Sequence, residues 1–153
     1  MSGFETDTVN RLETNLDDCS PEWLGALMER LMASGALDVW FTPIQMKKHR
    51  PGVMLSVLCE EAATEMLANL IFSESTAFGL RMEKVLRLKL HRRFETVTTE
   101  FGEVILKLGL KGDQVVQVAP EFESCNAAAR ESGQPLRSMR PSDPCQPLSA
   151  RSS

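Results

Sequence analysis

Three short segments of this chain concentrate side chains able to handle a charged small molecule. Glu13-Thr14-Asn15-Leu16-Asp17-Asp18 sets adjacent carboxylates near an amide, hard oxygen ligands suited to magnesium or manganese. Asp17 and Asp18 equally suit the positive end of a following helix. Lys47-Lys48-His49-Arg50-Pro51-Gly52 carries three fixed positive charges. On a tight turn these can grip a triphosphate, Arg50 as a planar fork and the lysines as point charges. The plainer reading is a solvated loop whose charge serves solubility. Glu74-Ser75-Thr76-Ala77-Phe78-Gly79-Leu80-Arg81 offers hydroxyls, a flexible glycine and an arginine. That is material for an anion cradle, or for a helix-to-strand connection with local hydrogen bonds. No Gly-rich phosphate loop, dinucleotide fingerprint or nucleophile elbow accompanies them.

The elements that must position these segments have clear punctuation. Val9 to Leu16 reads as a strand entering the acidic turn. Ser20 can cap a helix, Pro21 suits its first position and Glu22 complements its dipole. Leu24, Leu27, Met28 and Leu31 recur at helical spacing, and Gly35 supplies a stop. The β-prone run Ala36 to Ile44 leads to Pro51-Gly52, a predicted turn, and Val53 to Cys59 completes a hairpin. Glu61 to Phe72 returns to helical spacing with Ala62, Met66, Leu67, Leu70 and Ile71 on one side. A polar loop, Ser73 to Thr76, ends at Gly79 and feeds another extended segment. The order β-α-β-β-α-β is ferredoxin-like, two helices covering one face of a four-stranded antiparallel sheet.

From Lys84 the pattern changes. Leu86, Leu88 and Leu90 alternate with Arg87, Lys89 and His91, an apolar face against a cationic one. The cationic side of Arg81 to Arg93 reads as the wet face of a half-buried sheet, or as a strand that touches a phosphate backbone. A turn at Phe101-Gly102, a strand Glu103 to Leu110, a turn at Lys111-Gly112-Asp113 and a strand Gln114 to Val118 follow. Pro120 is expected to open a helix with Phe122, Cys125 and Ala129 on its buried side, ending near Gly133. The predicted architecture is α+β: a polar leader (1–8), a ferredoxin-like sandwich (9–83), a small antiparallel β-plus-helix subdomain (84–138) and a disordered Pro/Ser-rich tail (139–153).

Composition narrows the function classes. The 153 residues are 42% hydrophobic and 25% charged, with room for one domain and a small appendage. No apolar run approaches the roughly 18 residues of a membrane span, and the acidic start is unlike a signal peptide. The expected location is the cytoplasm. A net charge of −4, no Tyr and two Trp oppose nucleic-acid binding. Cys19, Cys59, Cys125 and Cys145 are scattered without a C-x-x-C pair and read as plain thiols. His49 and His91 are too few for a zinc or nickel site made by this chain alone.

Taken in order, the run ETNLDDCSPEWLGALMERLMASGALDVWFTPIQMKKHRPGVMLSVLCE resembles the C-terminal domain of the nickel-insertion protein family that completes the nickel-pincer nucleotide cofactor of lactate racemase. The resemblance continues through IFSESTAFGLR, LRLKLHRRFETVTTEFGEVILKLG and APEFESCNAAARESGQPL, and covers roughly residues 10 to 138.

The resemblance implies a CTP-dependent nickel chelatase of the lyase class. Its substrates are nickel and pyridinium-3,5-bisthiocarboxylic acid mononucleotide, its cofactors CTP with Mn2+ or Mg2+, and its assembly a homo-oligomer. Asp17 and Asp18 match the family's Asp-Asp pair and are expected to hold the metal beside the triphosphate. Lys47, Lys48, Arg50 and Gly52 match the K-K-x-R-P-G turn and are expected to stabilise phosphate charge. Glu74, Ser75, Thr76, Gly79 and Arg81 match E-S/T-T-x-x-G-x-R and are expected to complete the nucleotide cradle. His49 stands at the variable position of its turn and takes no role; no catalytic residue is assigned. Family members carry a large N-terminal region before this domain, so the expectation is a chain that binds CTP and needs that region to make product. Fold alone would allow a rival, a non-catalytic oligomerisation or small-ligand-binding module.

Overall fold

Alternation along Glu5–Leu16 (β1) puts Leu12 and Leu16 on one face of a strand and Arg11, Glu13 and Asn15 on the other. The computed structural model describes residues 3–100, 102–133 and 135. The expected tail over 139–153, Cys145 and the Phe101 half of a predicted turn lie outside them. β1 leads to the helix Pro21–Ala33 (α1), the strands Asp38–Met46 (β2) and Arg50–Cys59 (β3), the helix Thr64–Glu74 (α2) and the strand Arg81–Lys89 (β4). The sheet order is β2-β3-β1-β4. β3 is antiparallel to both neighbours, Val57 opposite Leu12 of β1 and Val39 of β2. This is the ferredoxin-like arrangement that the element order implied.

The inward residues of the three strands meet Leu27 and Leu31 of α1 and Leu67 and Ile71 of α2 in one core. Each such aliphatic side chain contributes about 1.5–3 kcal/mol by burial. Asn10 (5% exposed) is tolerated in this core because its Nδ2 donates to Thr64 Oγ1 at 2.8 Å. Ser20 caps α1, accepting from the Trp23 N–H, and Gly35 past its end has φ +94°.

Several local expectations need correction. β1 begins at Glu5, earlier than Val9. The hairpin turns at Lys47–His49, a three-residue loop closed by the Met46–Arg50 pair, and not at Pro51-Gly52. Lys48 and His49 take the left-handed backbone, φ 60° and 59°. Pro51 and Gly52 already pair with Gln45 and Ile44. Pro51 lies ahead of the β1–β3 ladder, which starts at Val53, so its missing N–H breaks no bond to β1. On α2, Leu67 and Ile71 are buried but Met66 is exposed beside them, and Ala62, also exposed, lies outside the helix in a separate 3₁₀ turn over Glu61–Ala63. Ser73 and Glu74 form the helix's last turn and do not belong to the loop.

The alternation in β4 is reversed. Leu86 (63% exposed) and Leu88 face water, while Arg87 is half-buried. Charge pairing sets this phase. Arg87 forks onto Asp7 at 2.9 and 2.6 Å, and Arg11 reaches Glu83 at 2.6 Å. The hydrogen bond and charge of Asp7 raise the Arg87 guanidinium above its ordinary pKa, against the effect of burial.

The chain divides into Thr6–Arg87 and a second compact unit formed by the residues on either side of it. In the second, His91–Thr99 (β5), Gly102–Lys111 (β6) and Gln114–Pro120 (β7) form an antiparallel sheet in that order. Gly112 turns β6 into β7 with φ +60°. Phe122–Ser132 (α3) packs Cys125, Ala128 and Ala129 onto Val104, Leu106 and Leu108. Pro120 ends β7, paired with Leu106, instead of opening the helix, and Phe122 (64% exposed) lies off the buried side. Gly133, φ +68°, ends α3 as expected. Gly3, Phe4 and Glu5 belong to this unit: Gly112 N–H donates to the Gly3 carbonyl, and Glu5 Oε1 lies 3.0 Å from His91 Nδ1. Among the described residues no helix is long and apolar enough to cross a membrane.

Candidate functional site

The three chemistry-bearing segments occupy alternate connections of the four-stranded unit: the end of β1, the β2–β3 turn and the α2–β4 loop. Antiparallel pairing of β1 with β3 puts Leu16 opposite Val53, so the end of β1 and the hairpin turn share one end of the sheet. There Arg50 Nη1 approaches Asp17 Oδ2 at 3.3 Å. Thr76 from the α2–β4 loop donates its hydroxyl proton to Asp18 Oδ1, and Cys19 Sγ lies 3.3 Å from the same hydroxyl oxygen. The Thr14 hydroxyl donates to the Gly79 carbonyl at 2.9 Å, tying the loop back to β1. Arg81 donates to Asn15 Oδ1 at 2.8 Å and lies 3.8 Å from Glu13 Oε2. Glu13 also accepts from the Ser56 hydroxyl at 3.3 Å. Its Oε1 stands 3.3 Å from Arg11 Nε, a buried nitrogen in ion-pair range but without hydrogen-bond geometry.

Gly52 is required by contact. A Cβ there would fall 2.7 Å from the Leu16 carbonyl oxygen and 2.9 Å from Met46 Sδ. The absent side chain lets the turn lie against the Leu16-Asp17 backbone, which brings Arg50 to Asp17. Gly79 meets nothing within 4 Å, and its φ lies outside the left-handed range. Lys47, Lys48 and His49 are exposed on the turn. Ser75 uses its hydroxyl locally, donating to the Ile71 carbonyl at 2.6 Å and accepting from the Ala77 N–H. Glu74 turns away from the aspartates and pairs with Arg30 of α1 at 2.5 Å.

Beside Thr76 opens a pocket of about 430 Å³, walled by Trp23, Ala26 and Arg30 of α1 and by the Ser73–Thr76 stretch. Trp23 and Arg30 were not among the sequence candidates. Their signal was the spacing Trp23, Ala26, Arg30, which sets one face of α1 about a quarter turn from the Leu27–Leu31 stripe.

The donor set can be tested against a divalent cation. Among the described residues no group of three or more His, Cys, Asp and Glu side chains is placed to hold a metal. Asp17 and Asp18 are adjacent, each engaged through one carboxylate oxygen. Magnesium-type ions commonly take one or two carboxylates and complete their shell with substrate phosphates and water. The pair fits an ion that arrives with a phosphate chain, and does not fit a resident site made from protein alone.

A ferredoxin-like unit with a carboxylate–guanidinium corner beside a hydroxyl-bearing loop defines an α+β domain with a polar cluster at one end of its sheet. The comparisons are more specific. A family model described as "Nickel insertion protein" matches residues 1–140. A relative from Syntrophotalea carbinolica named for nickel insertion is 54% identical over 132 residues, covering 86% of this chain and 34% of the relative. The pyridinium-3,5-bisthiocarboxylic acid mononucleotide nickel insertion protein of Thermotoga sp. (strain RQ2) is 44% identical over 128 residues, 84% of this chain and 32% of that one. Among solved structures, LarC2 in its apo form is 38% identical with a TM-score of 0.83, covering 89% of this chain and 94% of that one. It is described as the C-terminal domain of a cyclometallase in the synthesis of the NPN cofactor of lactate racemase. Protein MK0293 from Methanopyrus kandleri AV19 is 28% identical with a TM-score of 0.63, covering 88% and 85%. The chain belongs to the nickel insertion protein family, as its motifs implied. It spans about a third of the length of the curated relatives it matches.

Proposed function

We propose that this chain is the metal–CTP-binding part of a cytoplasmic nickel insertase that acts on pyridinium-3,5-bisthiocarboxylic acid mononucleotide to give the nickel-pincer cofactor. Family membership and the LarC2 likeness support the reaction class. The observation that carries the nucleotide role is the meeting of three polar segments at one end of one sheet, through Asp17–Arg50, Asp18–Thr76 and Thr14–Gly79.

In this reading Asp17 and Asp18 hold Mn2+ or Mg2+, and a bound ion neutralises triphosphate charge. Arg50 forks onto phosphate oxygens, and Lys47 and Lys48 supply point charges from a turn whose left-handed backbone presents them to solvent. Thr76 and Arg81 border the cradle. Gly52 brings the turn close, and Gly79 and Ser75 shape the loop. Nickel is a substrate and takes ligands from the thiocarboxylates of the mononucleotide. The N-terminal region of full-length relatives supplies what this chain lacks for turnover, and exposed Met82 and Leu86 on β4 favour assembly into a homo-oligomer.

Calorimetric titration of the chain with CTP, with and without manganese and with ATP as control, tests the reading. Metal-dependent, CTP-selective binding is expected. A folded chain that binds no nucleotide, even with the N-terminal region of a relative present, would leave the non-catalytic assembly module as the better account.

A further inference from the structure

We propose that Glu13 is a positioning residue for the phosphate site: its carboxylate holds the Arg81 guanidinium, so that Arg81 meets a bound phosphate chain already oriented. This rests on the nucleotide reading above and goes beyond it by giving a task to a residue that touches no ligand. Glu13 lies on the face of β1 turned away from the helices and the core, yet its side chain is only 16% exposed. Opposite it on β3, Ser56 is fully buried and donates its hydroxyl proton at 3.3 Å. A carboxylate so enclosed is costly unless its charge is met. Two guanidinium groups meet it, Arg11 Nε at 3.3 Å from Oε1 and Arg81 Nε at 3.8 Å from Oε2.

The two arginines are not equivalent. Arg11 is committed to Glu83, to which its Nη2 donates at 2.6 Å. Arg81 is 53% exposed and is held along one edge only, Nε facing Glu13 and Nη2 donating to Asn15 Oδ1 at 2.8 Å. Two contacts on one edge fix the plane of a guanidinium. Among the described residues Nη1 has no hydrogen-bond partner, so its two N–H groups are left for an anion. Asn15 stands two residues before Asp17, about 7 Å along an extended strand. Arg81 is therefore within reach of a phosphate chain anchored at the aspartates. Charge alone makes the opposite forecast for Glu13: a carboxylate near an anion site repels the anion, and removing it would strengthen binding. A positioning task makes its removal weaken binding. The two accounts differ in sign.

The test is calorimetric titration of the full chain with CTP and manganese, with circular dichroism to check that each variant folds. Arg81→Ala should weaken CTP by about tenfold. Glu13→Gln keeps the side-chain shape and an acceptor for Ser56 but drops the charge, and should weaken CTP by about three- to tenfold. In the Arg81→Ala background the same change should add less than about twofold, because the two residues act as one unit. Glu83→Gln removes an equal charge from the Arg11 side and should leave affinity at or above the wild-type value. Arg81→Lys keeps the charge but cannot span Glu13 and Asn15, so it should bind within about twofold of Arg81→Ala. That variant decides the matter if Glu13→Gln does not fold. Wild-type or tighter binding by Glu13→Gln, an additive loss in the double variant, or wild-type binding by Arg81→Ala or Arg81→Lys would overturn the assignment. If Arg50→Ala still weakens CTP in that case, the nucleotide reading stands without it. If the wild type binds no CTP, both fall.

Discussion

Arg50 Nη1 lies 3.3 Å from Asp17 Oδ2, so the hairpin turn and the end of β1 neutralise each other across the site. The Arg50 side chain is well exposed and the Asp17 side chain half-buried. A solvent-screened pair of this kind contributes little to folding, about 0–1 kcal/mol. It can therefore open at small cost, as the proposed binding of phosphate by Arg50 and of a cation by Asp17 requires.

Arg50→Ala should lower affinity for metal–CTP by about tenfold, the scale of one charge-assisted hydrogen bond. The thermal midpoint of the unliganded chain should barely move. Calorimetry with a parallel melt checks both, and unchanged affinity removes Arg50 from phosphate binding.

Asp17→Asn should weaken the dependence of nucleotide binding on manganese while leaving unliganded stability within about 1 kcal/mol. A manganese titration at fixed CTP measures it. An unaltered curve would leave Asp17 with helix-start chemistry alone.

Gly52→Ala should destabilise by about 1–3 kcal/mol, because the new Cβ falls on the Leu16 carbonyl. Gly79→Ala has open space at its Cβ and should stay within about 0.5 kcal/mol of wild type. Denaturant melts of the two variants decide whether close approach or mere motif membership makes the glycine matter.

Thr64→Val removes the hydroxyl that accepts from the Asn10 side chain, leaving a buried amide unpaired. A loss of about 1–3 kcal/mol is expected. Asn10→Leu in the same background should recover part of it, and urea melts of the single and double variants read the coupling.

His49→Gly should leave nucleotide affinity unchanged and raise stability by up to about 1 kcal/mol, since glycine adopts φ 59° without strain. A fall in affinity would assign His49 a role that its sequence position did not suggest.

The order of elements was legible because its signals are local. Ser20-Pro21-Glu22 starts a helix wherever it stands, and Leu27 and Leu31 keep one phase through α1. Ferredoxin-like topology followed from the alternation of elements alone. The three polar segments were likewise visible as residue types, and the family resemblance gave them one shared expected role.

Tertiary structure decided what residue types leave open. Leu86 and Arg87 exchanged the faces expected of them because Asp7, eighty residues away from Arg87, holds the guanidinium on one side of the strand. The hairpin turned at Lys48 and His49, which take the left-handed backbone, and Pro51-Gly52 stayed in the strand, with Gly52 close against Leu16. Glu74 left its motif neighbours for Arg30, and Trp23 came to line the pocket beside Thr76 with no motif to announce it. Hydrophobic period and helix caps act over one or two turns of chain, so sequence alone determines them. Charge partners and close backbone contacts act between residues brought together by the sheet, so only the folded chain can choose them.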